Sequence, residues 1–225
     1  MRALSFLLPA AMCTVVACSD DSSGPGPQAD QGRLRVVPGV AALPFVDVIV
    51  DGQVKASNVA FASTSTAIAL PVGAHQVKVV PAGTAPSAGG LSVNLTANDT
   101  TTVVVIGTAA APNPVALTDT GATPVPGKGK LRLTHLAANA PPIDVYRTQP
   151  DHQQFVKLME PFAFQASSSF VESTPGNWVI RVTADNSTTV LAESGPIRVD
   201  ALWVRTVLLL DGPNGTIRIT PLGEQ

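Results

Sequence analysis

The sequence predicts an all-β protein made of two tandem small antiparallel β-sandwiches, and three observations lead there. First, 45% of the 225 residues are hydrophobic and 13% charged, so the chain can build a core over most of its length. Twenty prolines and eighteen glycines, beside abundant Val and Thr, suit short strands joined by tight turns. Second, apolar and polar residues alternate: Leu34 and Val36 against Arg33 and Arg35, and Val77 and Val79 against Gln76 and Lys78. That is the two-residue period of a half-buried strand. Third, the pattern recurs later in the chain at a nearly constant offset.

The amino terminus is read separately. Met1-Arg2 supplies one positive charge, Ala3 to Met12 form a short apolar stretch, and Val15, Val16, Ala17 and Cys18 close the segment. This is the three-part form of a secretory signal, too short for a transmembrane helix of about 20 apolar residues. Val15-Val16-Ala17-Cys18 resembles the lipobox of bacterial lipoproteins. The resemblance implies cleavage after residue 17 and a thioether-linked diacylglycerol on Cys18, with a further acyl chain, such as palmitate, on its freed amine. Two or three such chains hold a protein stably to a membrane, each buried CH₂ contributing about 0.8 kcal/mol. Cys13 competes poorly, because Met12 before it is bulky and the polar segment begins only after Cys18. With Cys13 removed and Cys18 acylated, no thiol remains for a disulfide or a cysteine metal site. Ser19 rather than Asp follows the lipidated residue, which in lipoproteins of two-membrane bacteria implies transfer to the outer membrane.

Removing residues 1–17 takes away Arg2 and no acid, leaving a net charge of −3. Lys and Arg form no run, so neither nucleic acid nor an anionic lipid surface is an expected electrostatic partner. Residues 18–31 are a polar Gly/Pro/Ser stretch and are read as a flexible tether. A second Pro/Gly-rich break at 109–128 is read as a linker between domains 32–108 and 129–225.

The two domains are aligned by offset. Gly32 to Val36 match Gly129 to Leu133, and Val46-Asp47-Val48 match Ile143-Asp144-Val145, both at a shift of 97. Gly73 answers Gly176 at 103, so about six residues are gained around Thr148 to Gln153. Thr101 to Gly107 are matched with Thr206 to Gly212 at 105. Val103 to Ile106 and Val207 to Leu210 are apolar on both faces, as well-covered strands would be. Asp51-Gly52 is the pair that a two-residue hairpin favours, since both central positions need positive φ. Six or seven short strands per domain are expected.

VPGVAALPFVDVIVDGQVKASNVAF followed by LPVGAHQVKVVPAG resembles the DUF4397 domain of bacterial envelope proteins. The second domain keeps the start, the Pro-Pro-Ile-Asp-Val-Tyr strand and the Pro-Gly turn, with the Asp-Gly hairpin replaced by Arg147 to Asp151. The resemblance implies an immunoglobulin-like or transthyretin-like sandwich, an envelope location and no established activity.

No catalytic motif is found: there is no Gly-x-Ser-x-Gly, no His-Glu-x-x-His and no phosphate loop. His75, His135 and His152 lack metal-ligand spacing and are read as exposed strand or loop residues, so neither metal nor cofactor is expected. Asp47 and Asp144 hold equivalent places, and the expectation is structural, each carboxylate accepting backbone hydrogen bonds from the preceding loop. Aromatics crowd the second domain: Tyr146, Phe155, Phe162, Phe164, Phe170, Trp178 and Trp203. Core packing is the favoured reading. Were Trp178, Trp203 and Tyr146 exposed, they would offer a platform for a sugar ring or an apolar peptide. The expectation is therefore a non-enzymatic, lipid-anchored outer-membrane protein with a structural or interaction role toward an envelope protein or glycan. The alternative is a glycan-binding or glycan-processing accessory lipoprotein.

Overall fold

The computed structural model describes residues 30–85, 90–118 and 123–223. The export segment, Cys18 and the tether up to residue 29 lie outside them. Among the described residues the protein is all-β. In the first half, β1 (Gln31–Pro38), β2 (Phe45–Val50), β3 (Gln53–Ala60), β4 (Ile68–Pro71), β5 (Gly73–Pro81), β6 (Leu91–Leu95), β7 (Thr100–Gly107) and β8 (Pro112–Thr118) form sheets of order β4-β1-β7-β8 and β3-β2-β5-β6. In the second half, β9 (Gly129–Leu136), β10 (Ile143–Thr148), β11 (Phe155–Phe162), β12 (Val171–Ser173), β13 (Gly176–Ala184), β14 (Val190–Glu193), β15 (Ile197–Val199), β16 (Val204–Asp211) and β17 (Ile217–Pro221) form β12-β9-β16-β17 and β11-β10-β13-β14. The strand β15 pairs with the start of β13. The two halves share one strand order.

Each half closes over its own core. Leu34, Val36, Val48, Val50, Val77, Val103 and Val105 meet between the first pair of sheets. Leu131, Leu133, Ile143, Val145, Phe162, Ile180, Val182, Val207 and Leu209 meet between the second. These are the alternate residues of their strands, so the period-two pattern does specify which side faces in. Fully burying such a side chain contributes about 1.5–3 kcal/mol.

The strands apolar on both faces have a further explanation. Val37, Val104, Ile106, Leu136, Leu208, Leu210 and Leu222 form a third buried cluster, drawn from both halves, with Val115 and Leu117 of β8 packed on it. The sheet β4-β1-β7-β8 thus lays its outer face against the outer face of β12-β9-β16-β17. Val103 and Val105 serve one core, while Val104 and Ile106 serve the shared one. Gly39 lies at this junction: a Cβ there would stand 2.6 Å from the Val105 carbonyl and 3.0 Å from Leu210 Cδ2.

Several sequence expectations change. Two of the four described sheets are mixed, because β1 pairs in parallel with β7, and β9 with β16, while the other two are antiparallel as expected. The intervening strands shuttle between two sheets and bring the chain back in its original sense, which supplies the long crossover a parallel pair needs. Residues 109–128 are not wholly a linker, since Pro112–Thr118 pair with β7. Pro112 and Pro114 are tolerated there because β8 is an edge strand with no further neighbour to bond. The shift between β7 and β16 is 104 rather than 105: Arg35 lies opposite Thr102, and Arg132 opposite Thr206. A slip of one would turn every side chain to the wrong face. In both halves the buried arginine donates to that threonine, Arg35 Nε to Thr102 Oγ1 at 2.6 Å and Arg132 Nη2 to Thr206 Oγ1 at 3.2 Å.

The hairpin readings hold. Asp51 and Gly52 both take positive φ, 50° and 82°, in the two-residue turn between β2 and β3. Val50 pairs with Gln53, whereas the corresponding Arg147 pairs with Val156, so the second hairpin is six residues longer.

Candidate binding surface

Register decides which side chains meet around the longer hairpin. Val145, Ile180 and Val182 point into the core. Their strand neighbours Asp144, Tyr146, Arg181 and Thr183 therefore share the outer face of the sheet. Tyr146 lies opposite Arg181, and Asp144 opposite Thr183. Tyr146, Phe155, Arg181, Thr183, Ser187, Thr188 and Val190 line a depression of about 260 Å³ on this face.

Charges around it are paired among themselves. Arg181 Nε donates to Glu193 Oε2 at 2.5 Å, and its Nη2 donates to His152 Nδ1 at 2.9 Å. The same guanidinium lies 4.4 Å from the Phe155 ring centroid, and His152 meets that ring edge-on. Lys157 bridges Glu160 at 2.7 Å and Asp144 at 3.2 Å. Its ammonium sits 5.4 Å from the Tyr146 ring. Glu160 first, then Asp144 and Tyr146, hold the Lys157 pKa well above its ordinary value. Two buried polar atoms at this site have no partner among the described residues: Asp144 Oδ1 and Thr183 Oγ1, in residues only 1% and 5% exposed.

A second depression, about 390 Å³, lies against the same loop and is lined by Gln149, Pro150, Asp151, Pro175, Gly176, Asn177 and Trp178. Trp178 shares the parity of Ile180 and Val182, so it emerges at the end of the sandwich interior, away from Tyr146. Its indole donates to the Thr174 carbonyl, and Arg147 covers one face at 4.6 Å. Trp203 stands apart, between Arg198 and Arg205 at 5.7 and 5.2 Å. The structure thus places Tyr146 and Trp178 on either side of one loop and leaves Trp203 outside both depressions.

The core reading of the aromatics is corrected. Phe162 is the buried one among those named, while Tyr146, Trp178 and Trp203 are half-buried and Phe155 and Phe164 exposed. Alternating Val, Leu and Ile already fill the interior, and six more rings would overfill it. His135 is likewise not exposed: it lies in β9, 2% accessible, 5.6 Å from the Phe162 ring, and burial lowers its pKa. Arg181, Thr183 and Glu193 carried no sequence signal, since only strand pairing brings them to Phe155 and His152.

The two equivalent acids do accept backbone bonds, but from later segments, β3 and the turns after β5 and β13. Asp47 takes the amides of Asn58 and Gly83, both at 2.9 Å, and the Gly83 bond, then the Asn58 bond, lower its pKa. Asp144 takes the amide of Asn186 and the Lys157 ammonium. In the first half, Asp51 takes the Gln76 amide and contacts His75 Nδ1 at 2.7 Å, while His75 Nε2 contacts the Pro71 carbonyl at 2.8 Å.

Residues 32–146 match the sequence model of a domain of unknown function, DUF4397. The chain belongs to the DUF4397 family. The family match covers the first sandwich and continues through β9 to Tyr146 of β10, so the longer hairpin, Trp178 and β16 fall beyond it. No curated protein matches. Among solved structures, the Bacillus anthracis TIE protein is similar at 14% identity and a TM-score of 0.29, covering 80% of this chain and 34% of its own. A leucine-rich repeat protein from Bacteroides thetaiotaomicron is similar at 12% identity and a TM-score of 0.24, covering 79% and 26%. This DUF4397 chain therefore spans about a third and a quarter of those two proteins.

Proposed function

We propose that this DUF4397 protein is a lipid-anchored cell-envelope protein with a non-enzymatic structural and interaction role, held at the outer membrane through Cys18. In this reading the second sandwich is a second copy of the family domain, and the pair forms a spacer that presents one surface to a partner. The observation that carries the interaction role is the concentration of half-exposed aromatics around a hairpin loop that the first sandwich lacks. Aromatic and Arg side chains are the groups that dominate binding energy at interfaces. The anchor rests on the sequence Val15-Val16-Ala17-Cys18 and the polar tether after it. The shared cluster supports the spacer role, because two sandwiches joined by packed apolar faces move together.

Metabolic labelling with palmitate tests the anchor. The wild type should incorporate label and fractionate with outer membranes, and Cys18→Ala should do neither. Equal labelling of both would overturn the reading.

A further inference from the structure

The chemistry around the longer hairpin narrows the kind of partner. Charged groups that recruit ionic ligands are engaged with one another: Arg181 with Glu193 and His152, and Lys157 with Asp144 and Glu160. What remains is apolar ring surface from Tyr146 and Phe155, and neutral hydroxyls from Thr183, Ser187 and Thr188. The Thr183 hydroxyl is buried and has no partner among the described residues. A buried polar atom is seldom left without a partner, and a water or a ligand hydroxyl would complete this one. At about 260 Å³ the depression is smaller than the roughly 300–1,000 Å³ of drug-sized sites, which suits a single ring. Across the loop, Trp178 with Gln149, Asp151 and Asn177 repeats the combination of an aromatic with amides and a carboxylate.

We infer that this surface binds a neutral pyranose glycan, one ring in the depression at Tyr146 and Phe155 and a ring further along the same chain beside Trp178. A sugar ring presents an apolar C–H face to aromatics and hydroxyl edges to Thr, Ser, Asn, Gln and carboxylate groups, which is the pairing the two depressions offer. An apolar peptide side chain would use the rings and leave the Ser187 and Thr188 hydroxyls unmatched. The inference rests on the interaction role proposed above and names its ligand; photo-crosslinking at residue 155 in cells reports on partner contact whatever the partner's chemistry, so the two fail separately.

The test is a glycan array of bacterial and plant oligosaccharides probed with residues 19–225, followed by calorimetric titration of the best tetrasaccharide and its monosaccharide. The expected result is binding of at least one neutral pyranose chain, the tetrasaccharide more tightly than the monosaccharide. Phe155→Ala and Trp178→Ala should each weaken it by about tenfold. Thr183→Val should weaken it less, and Val54→Ala on the first hairpin should leave it unchanged. An array without binding, or affinity unaltered by Phe155→Ala and Trp178→Ala in variants whose thermal unfolding matches wild type, would overturn the inference. So would capture of charged glycans alone.

Discussion

The two sandwiches share a strand order and differ at one end. In the first, a two-residue Asp51-Gly52 turn closes the hairpin, and the position matching Tyr146 is the buried Ile49. In the second, six further residues carry His152 out to Arg181, and Phe155 and Tyr146 stay accessible. The difference separates two demands on one topology. The shared faces conserve apolar burial in both halves, because each needs the other to cover Val104, Ile106, Leu208 and Leu210. The far sheets are free to diverge, and the second brings Tyr146, Phe155, Arg181 and His152 together there.

The largest effect should come from breaking what the halves share. Leu208→Ala empties part of the common cluster and should cost about 2–5 kcal/mol in denaturant titration. Gly39→Ala pushes a methyl toward the Val105 carbonyl and Leu210, and should cost about 1–3 kcal/mol by the same measurement. A neutral result for both would mean that the halves do not rely on each other.

Acidification should pull the halves in opposite directions. The Asp51 hydrogen bond, then that to the Pro71 carbonyl, raises the His75 pKa above its ordinary 6.5. Its stabilisation is therefore complete below pH 6.5 and is lost as pH rises through the higher folded value. His135 is the reverse: burial lowers its pKa, so its contribution is complete above pH 6.5 and falls as pH drops toward the depressed value. Thermal unfolding across pH 5–8 should show His75→Gln losing most at the acidic end and His135→Leu flattening the acidic loss. His75 also lowers the Asp51 pKa, with the Gln76 amide adding to it, so the first clip weakens again only in strong acid.

The smallest stability effect should come from the surface residues. Phe155→Ala removes an exposed ring and should change stability by no more than about 0.5 kcal/mol, as measured by denaturant titration.

Much of this architecture was legible because a sandwich writes its inner face as alternate residues: Leu34, Val36, Val77 and Val79 announce it directly. The Asp-Gly turn and the longer second hairpin were legible for a similar reason, since φ preferences and insertions leave local marks. The partner for the outer faces of β7 and β16 was not, because a two-sided apolar strand says only that something covers it. Pro112 and Pro114 concealed β8 by looking like linker residues, when an edge strand tolerates them equally well. At the candidate site, Tyr146 and Trp178 stood out as aromatics, but Arg181 and Thr183 joined Phe155 only through the pairing of β10 with β13. The aromatics were misplaced in the core because their number alone does not reveal that Val, Leu and Ile have already filled it.

The central claim is that the second sandwich, and not the first, meets the partner. A photo-crosslinking residue at Phe155 in intact cells, compared with the same residue at the still more accessible Val54 of the first hairpin, distinguishes the two. A discrete envelope adduct is expected from position 155 and none from position 54; equal adducts from both, or an adduct from position 54 alone, would overturn the assignment of the partner surface to the second sandwich.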